Sequence, residues 1–182
     1  MGWFDITLVI LEKAQNRDSF LSSFNKRLMS IDVKLDIEDG EFICYNDTRS
    51  GDEKEITDLY NGMKTEDVLR LLSQWPGLGI LSYRHPSFSH YVTINYLTWD
   101  DNLINGFSIG FNGKEVCLDP KKKQSELLIN KISQFVDYRF VVGNIYNVID
   151  TSNRLSRIVK YIEKTTFEFD KRKNTTNTMK KH

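Results

Sequence analysis

The sequence has no segment typical of a protein that enters or crosses a membrane. The N-terminus has no basic region and no small-residue cleavage site. The apolar run at residues 8–11 is far shorter than the roughly 20 residues that a membrane-spanning helix requires. Met1 and Gly2 are not followed by the serine or threonine of an acylation signal. We therefore expect a cytoplasmic protein without a membrane partner.

Cysteine is also scarce. Cys44 and Cys117 are too few for a disulfide framework, and each lies in a strand-like apolar stretch, so the sequence favours two buried free thiols. No paired ligands occur at the spacing of a zinc site. Gly77-Leu-Gly79 lacks the third glycine of a dinucleotide-binding fingerprint, and there is no phosphate-loop lysine motif. We expect no metal ion, no cofactor and no small-molecule ligand.

Net charge is absent, but the charges are unevenly distributed along the chain. Lys plus Arg and Asp plus Glu both number 25. Residues 32–58 contain ten acidic and three basic residues, a net charge of −7, whereas residues 121–182 contain 14 basic and six acidic residues, a net charge of +8. Such asymmetry bears on partners and not on the fold. It predicts an acidic early surface and a basic late one.

Hydrophobic spacing predicts an α+β domain. Alternating apolar residues at 4–10, 88–96 and 107–111 are typical of strands, whereas residues 125–137 and 155–162 have helical spacing. Hairpin signals outnumber β-α-β units, so we expect an antiparallel or mixed sheet built from hairpins and flanked by about four helices. A single domain is predicted over residues 1–170, and residues 171–182 are predicted to form a basic disordered tail.

Two dipeptides predict tight turns. Asp39-Gly40 is typical of a two-residue hairpin turn, and the register that it predicts pairs Leu35 with Cys44. The same register places Glu38 opposite Glu41, an arrangement that slightly destabilises a hairpin and that the turn does not require. Two interpretations fit this pattern. The hairpin tip is either a solvated turn without a binding role or a negatively charged projection that binds a positive surface of a partner. Asn112-Gly113 predicts another turn, followed by a strand.

Two histidines lie close together in the sequence. His90 lies among alternating apolar residues, which favours a position in the core. His85 lies in a predicted loop before Pro86 and could act as a general base with a carboxylate such as Asp100. No serine or cysteine signature lies nearby. A non-enzymatic protein is therefore favoured, with a small enzyme as the alternative.

Basic segments at residues 121–123, 171–173 and 180–181 raise another alternative. They could attract phosphates, but they have no aromatic interleaving and no motif that enters a nucleic-acid groove. The sequence therefore favours a solubilising role for the late lysines over nucleic-acid binding.

In its size, its aromatic content, the absence of an export signal and the acidic stretch at residues 32–58, the chain resembles bacterial immunity proteins. Bacteria make these proteins against their own contact-dependent or polymorphic toxins. The resemblance concerns general character and includes no residue motif. It implies an inhibitor whose partner is a cognate toxin domain, often a nuclease with a cationic groove that an acidic surface can block. The residues that we expect to bind this partner are Glu38, Asp39, Glu41, Asp47, Asp52, Glu53, Glu55, Trp99 and Asp100.

Overall fold

The computed structural model describes residues 4–37, 44–47, 52–55, 63–74, 79–99 and 102–173, with the backbone alone described for residues 44–47 and 52–55. Within these ranges the chain forms nine strands and five helices. In chain order they are β1 (Phe4–Gln15), α1 (Arg17–Met29), β2 (Lys34–Leu35), β3 (Cys44–Asp47), β4 (Asp52–Glu55), α2 (Thr65–Gln74), β5 (Gly79–Arg84), β6 (Val92–Leu97), β7 (Ile104–Asn112), α3 (Gly113–Val116), α4 (Asp119–Ser133), β8 (Tyr138–Val142), α5 (Leu155–Lys164) and β9 (Asp170–Arg172).

All nine described strands belong to one sheet. Its order is β4-β3-β5-β6-β7-β1-β8-β9, and β2 pairs with β5 beside β3. Every pairing among these strands is antiparallel. The predicted α+β class with an antiparallel sheet is therefore confirmed. The described helices number five rather than four, because a single helical turn, α3, follows β7.

Helices cover both faces of the sheet. Val9 on β1 belongs to the larger core cluster, together with residues of α1, α2, α3 and α4. Its neighbours Leu8 and Ile10 belong to a smaller cluster with Ile158 and Ile162 of α5. Successive strand residues point to opposite faces, so β1 is buried on both sides and α5 lies opposite the other helices. Each fully buried aliphatic side chain contributes roughly 1.5–3 kcal/mol.

The predicted pairing of Leu35 with Cys44 is wrong. Leu35 pairs with Tyr83 of β5, and Cys44 pairs with Ile80 of the same strand and with Glu55 of β4. Because β2 and β3 both pair with β5, they follow one another along its edge instead of facing each other. An alternating pattern specifies which face of a strand is apolar, but it does not specify the partner strand.

The turn predicted at Asn112-Gly113 is a helix start. The side chain of Asn112 accepts hydrogen bonds from the backbone N–H groups of Lys114 and Glu115, at 3.1 and 3.3 Å. This is the N-cap arrangement, and α3 follows it instead of a strand. Cys117 consequently lies just beyond a helical turn and is exposed, so the prediction that its thiol is buried is wrong.

Two charged segments without apolar alternation form strands at the two ends of the sheet. Residues 52–55, within the acidic stretch at residues 32–58, form β4. Lys171 and Arg172, assigned to the predicted tail, belong to β9 and pair with β8. The domain therefore extends beyond residue 170. Both strands consist almost entirely of charged residues, and such charges on edge strands oppose aggregation. The two strands therefore lack the apolar alternation from which a strand is predicted.

Candidate functional site

The β3–β4 hairpin carries four of the predicted partner-binding residues at one edge of the sheet. Asp47 lies on β3, and Asp52, Glu53 and Glu55 lie on β4, which ends the strand order. The register places Asp47 opposite Asp52. Like charges opposite one another disfavour pairing. The fold thus brings four acidic residues together at this edge of the sheet.

Trp99 is the one predicted site residue whose side chain is described. It lies just after β6, half-buried against the smaller core cluster, and its indole Nε1–H donates a hydrogen bond to the Thr151 carbonyl at 3.0 Å. Trp99 thereby attaches the β6–β7 connection to the loop before α5. The other predicted residues, Glu38, Asp39, Glu41 and Asp100, lie outside the described residues.

The two acids next to β2 are neutralised locally. Asp32 forms an exposed ion pair with Lys34 at 3.5 Å. The side chain of Asp36 is only 7% exposed and accepts a hydrogen bond from Arg84 Nε at 2.6 Å. Arg84 also donates to the hydroxyl of Tyr91 at 2.7 Å. These acids are engaged at the β2–β5 junction and add little to an external acidic surface.

The late cations at residues 121–123 and 171–173 have partners close to them, and none of these partners is in the early acidic segment. Residues 121–123 lie on α4, and residues 171–173 lie at β9, at the other end of the strand order from β4. Their contacts are Lys121 with the Ser87 carbonyl, Lys122 with Glu168, Lys123 with Asp119, Lys171 with Asn130, Arg172 with Asp170, and Lys173 with Glu12. These contacts weaken the nucleic-acid alternative, since the cations are already engaged.

His85 is a half-buried loop residue. Its Nδ1 accepts a hydrogen bond from the backbone N–H of Ser87 at 3.2 Å. Burial lowers the pKa of His85, an effect that Asp32 opposes and Lys131 reinforces, so the ring is neutral at pH 7. No carboxylate among the described residues is hydrogen-bonded to this ring, so the orienting partner that a general base requires is not seen there. This geometry gives the enzyme alternative no support.

The prediction that His90 is a core residue is wrong. Its side chain is 57% exposed, and Nδ1 lies 2.9 Å from Glu115 Oε2. Ser89 Oγ lies 3.4 Å from the same Nδ1 and donates to Glu115 Oε1 at 2.9 Å. A Ser-His-carboxylate relay requires the serine and the carboxylate on different ring nitrogens. The cluster instead attaches the β5–β6 loop to α3.

Two of the clefts formed by described residues are large enough to hold a side chain. One, of about 250 Å³, lies beside α1 between Phe20, Arg27 and Phe135. The other, of about 240 Å³, lies between α5 and the loop before it. Both are smaller than the roughly 300–1,000 Å³ typical of small-molecule sites, and His85 lines neither. They are better matched in size to one side chain of a protein partner.

Within the described ranges, no group of three or more His, Cys, Asp or Glu residues could hold a metal ion. No helix in those ranges is long and apolar enough to cross a membrane.

The sequence reasoning missed the exposed face of α5. It identified the apolar spacing of this helix but not the complementary positions Arg157, Lys160, Tyr161 and Lys164, all of which are exposed. Their spacing of i, i+3, i+4 and i+7 defines one helix face. Reading the polar side of the same amphipathic pattern would have found them.

Comparison of the chain with models of protein families, with curated proteins and with solved structures found no match.

Proposed function

We propose that this chain is a protein-binding inhibitor that neutralises a cognate toxin domain, such as a nuclease, in the bacterial cytoplasm. The binding surface is the acidic hairpin, which we define as Asp47, Asp52, Glu53 and Glu55. We include in the proposal the acids Glu38, Asp39 and Glu41 and a second patch at Trp99 and Asp100, as the sequence predicts. The supporting observation is the position of the acidic hairpin at one edge of the sheet, with the charged strand β9 at the other.

Distance keeps the two charged regions apart. Seven strand-to-strand steps separate β4 from β9, and at about 4.8 Å per step the two edges lie roughly 30 Å apart. The Debye length at physiological ionic strength is about 8 Å, so Lys171 and Arg172 of β9 barely screen the acidic edge. A partner with a cationic groove would therefore meet the carboxylates of this edge without competition from the cations of β9.

Electrostatic steering supplies the mechanism. Complementary surfaces raise association rates by roughly 10–1,000-fold at low ionic strength. A nuclease exposes cations that bind phosphates, and carboxylates at the sheet edge would occupy them in place of the substrate. Charges on an edge strand also prevent edge-to-edge aggregation. An experiment with a toxin separates this protective role from inhibition.

The test uses the toxin candidate encoded beside the gene for this chain. It is expressed with the wild-type chain, with the hairpin variant D47N/D52N/E53Q/E55Q, or with the control variant D18N/E66Q/D119N/D137N, which neutralises four exposed acids elsewhere. Viable counts measure protection, and circular dichroism verifies folding. We expect the wild type and the control to protect the cells. The hairpin variant should lose protection, and its association rate should fall at least about tenfold.

Equal protection by both variants would show that the acidic hairpin is not the inhibitory surface. A failure of the wild-type chain to protect against the neighbouring gene product would overturn the immunity function itself.

A further inference from the structure

The exposed face of α5 is cationic, and its cations form no ion pair with a described residue. α5 packs Ile158 and Ile162 against the sheet, so Arg157, Lys160 and Lys164 lie on its solvent side. None of these three cations forms an ion pair with a described residue, in contrast to the cations at residues 121–123 and 171–173. Unpaired cations that share one helix face produce a local positive potential available to a partner.

A cleft with both apolar and polar lining residues includes one of these cations, Arg157, in its wall. Its volume is about 240 Å³. Val148 and Tyr161 are 46% and 43% exposed, which is high for apolar and aromatic side chains that line a concave surface. An aromatic residue at the rim of a cleft is a frequent anchor point in protein interfaces. The residues that line the cleft are Val148, Ile149, Asp150, Asn153, Arg157, Ile158 and Tyr161.

The loop that forms one wall of this cleft is held in place by hydrogen bonds. The carboxylate of Asp150 accepts from the backbone N–H and the hydroxyl of Ser152, at 2.9 and 2.7 Å. The indole of Trp99 donates to the Thr151 carbonyl. The backbone N–H of Val148 donates to the Ile145 carbonyl at 2.8 Å. A preformed surface loses little conformational entropy when a partner binds.

We propose that the α5 face and its cleft bind a carboxylate-rich segment of a partner protein, which inserts one apolar side chain into the cleft. Charge complementarity selects the carboxylates, and the size and lining of the cleft select the apolar anchor. The proposal goes beyond toxin inhibition through the acidic hairpin, because it concerns a second surface of opposite charge.

Two other classes of anionic partner fit this surface less well. A phosphate backbone has no apolar group to place against Val148 and Tyr161, which line the cleft. An interfacial helix inserts its apolar side into lipid, but the apolar side of α5 is buried against the sheet. A protein segment can place its carboxylates beside Arg157 and Lys160 and its apolar residue near Val148.

The experiment measures fluorescence anisotropy with a labelled peptide made of Glu and Asp around one central Phe. We expect salt-sensitive binding to the full-length chain. R157E/K160E should weaken it at least about tenfold. The control K13E/K26E makes the same charge change at two exposed lysines outside α5 and should bind normally. Y161A should weaken binding of this peptide but not of a peptide with Gly in place of Phe.

Several outcomes would overturn the proposal. Absence of binding at low salt would do so, as would equal losses in the α5 variant and the control. Equal or tighter binding of a single-stranded oligonucleotide would assign the surface to phosphates, and equal or tighter binding of anionic phospholipid vesicles would assign it to membranes. Salt-sensitive self-association in sedimentation velocity, lost in both R157E/K160E and the hairpin variant, would assign it to a second copy of the chain.

The two proposals fail independently. The hairpin variant D47N/D52N/E53Q/E55Q keeps the α5 face intact and should bind the peptide like the wild type. R157E/K160E keeps the acidic hairpin intact and should still protect cells against the toxin.

Discussion

Two tyrosines share a hydrogen bond inside the larger core cluster. The hydroxyl oxygens of Tyr83 and Tyr96 lie 2.7 Å apart, and both rings are almost completely buried. Phe20 and Phe24 contact the ring of Tyr96 edge-on. Burial raises the pKa of both hydroxyls, so both stay protonated at neutral pH. Each hydroxyl thus serves as the polar partner of the other in an apolar surrounding.

Each single replacement should lower the free energy of unfolding by more than half of what the double replacement does. Y83F or Y96F leaves the other hydroxyl buried without its partner, which costs about 1–3 kcal/mol. The double variant Y83F/Y96F leaves no hydroxyl unsatisfied and should lose less than the sum of the single losses. Urea denaturation of the four proteins measures the coupling. Strictly additive losses would show that the hydroxyls do not depend on each other.

Glu115 should make the free energy of unfolding depend on pH in the acidic range. Burial by itself raises the pKa of Glu115, but hydrogen bonds from Ser89 and His90 outweigh this effect and hold the pKa below its ordinary value of 4.5. A carboxylate with a lowered folded-state pKa contributes stability above its unfolded pKa and loses it as the pH falls through the folded value. E115Q should cost about 1–2 kcal/mol at pH 7.

The measurement is urea denaturation from pH 7 down to pH 3. The difference in the free energy of unfolding between wild type and E115Q should shrink below pH 4.5. A difference that stays constant over this range would mean that the charge of Glu115 does not matter for its contacts.

At the scale of elements, the central strands β1 and β7 approach each other closely at a glycine. Gly106 pairs with Ile10, and a Cβ atom on Gly106 would lie 2.4 Å from the backbone oxygen of Val9. On the same strand, a Cβ atom on Gly110 would lie 2.5 Å from Thr93 Oγ1. The first clash is with backbone in the middle of the sheet, whereas the second is with a side-chain end that can rotate.

G106A should therefore destabilise the protein by about 1–3 kcal/mol or more, and G110A by clearly less. Urea denaturation of both variants provides the comparison, with G110A as the matched control. Equal losses would indicate that β1 and β7 can separate locally at low cost.

The edge strand β9 should stabilise the domain because it pairs with β8, whereas a disordered tail would make no such pairing. Asp170, Lys171 and Arg172 pair with Val142, Val141 and Phe140 of β8. A chain that ends at residue 169 should be less stable than a chain that ends at residue 173 by about 2 kcal/mol, from two or three hydrogen bonds of about 1 kcal/mol each. Thermal or urea denaturation of the two truncations tests this, and equal stabilities would show that β9 pairs only weakly.

At the scale of the whole molecule, a chain without net charge carries an acidic hairpin at one edge of the sheet and exposed cations on α5. The acidic hairpin lies at the β4 edge, and the α5 face lies over β1 and β8. Because several strands separate the two surfaces, neither can neutralise the other. The two proposed surfaces therefore lie on different parts of the fold and can be tested separately.

Periodicity allowed several elements to be predicted from the sequence. Phe107, Ile109 and Phe111 alternate along β7 and are buried in the larger cluster, and Ile158 and Ile162 of α5 are buried in the smaller one. These predictions are confirmed because a strand or helix with one apolar face must bury that face. The spacing of apolar residues is a local property that the sequence displays directly.

Contacts between distant residues could not be predicted in this way. His90 follows the alternation of β6 but lies before the strand, where Glu115 from α3 binds it. The candidate site shows the same limit, since nothing local to residues 52–55 predicts that they pair with β3. The cations of α5 lie on the polar side of the amphipathic helix, and the spacing of its apolar residues alone does not indicate them.

The sequence by itself determined the class of the fold, the alternating or helical character of its apolar segments and the unequal distribution of charge along the chain. Each of these depends only on residues that are neighbours in sequence. The tertiary structure alone decided which strands pair, that β4 and β9 lie at opposite ends of one sheet, and which charges are neutralised. Those outcomes depend on contacts across many residues, where the energy of packing selects among pairings that local patterns leave equivalent.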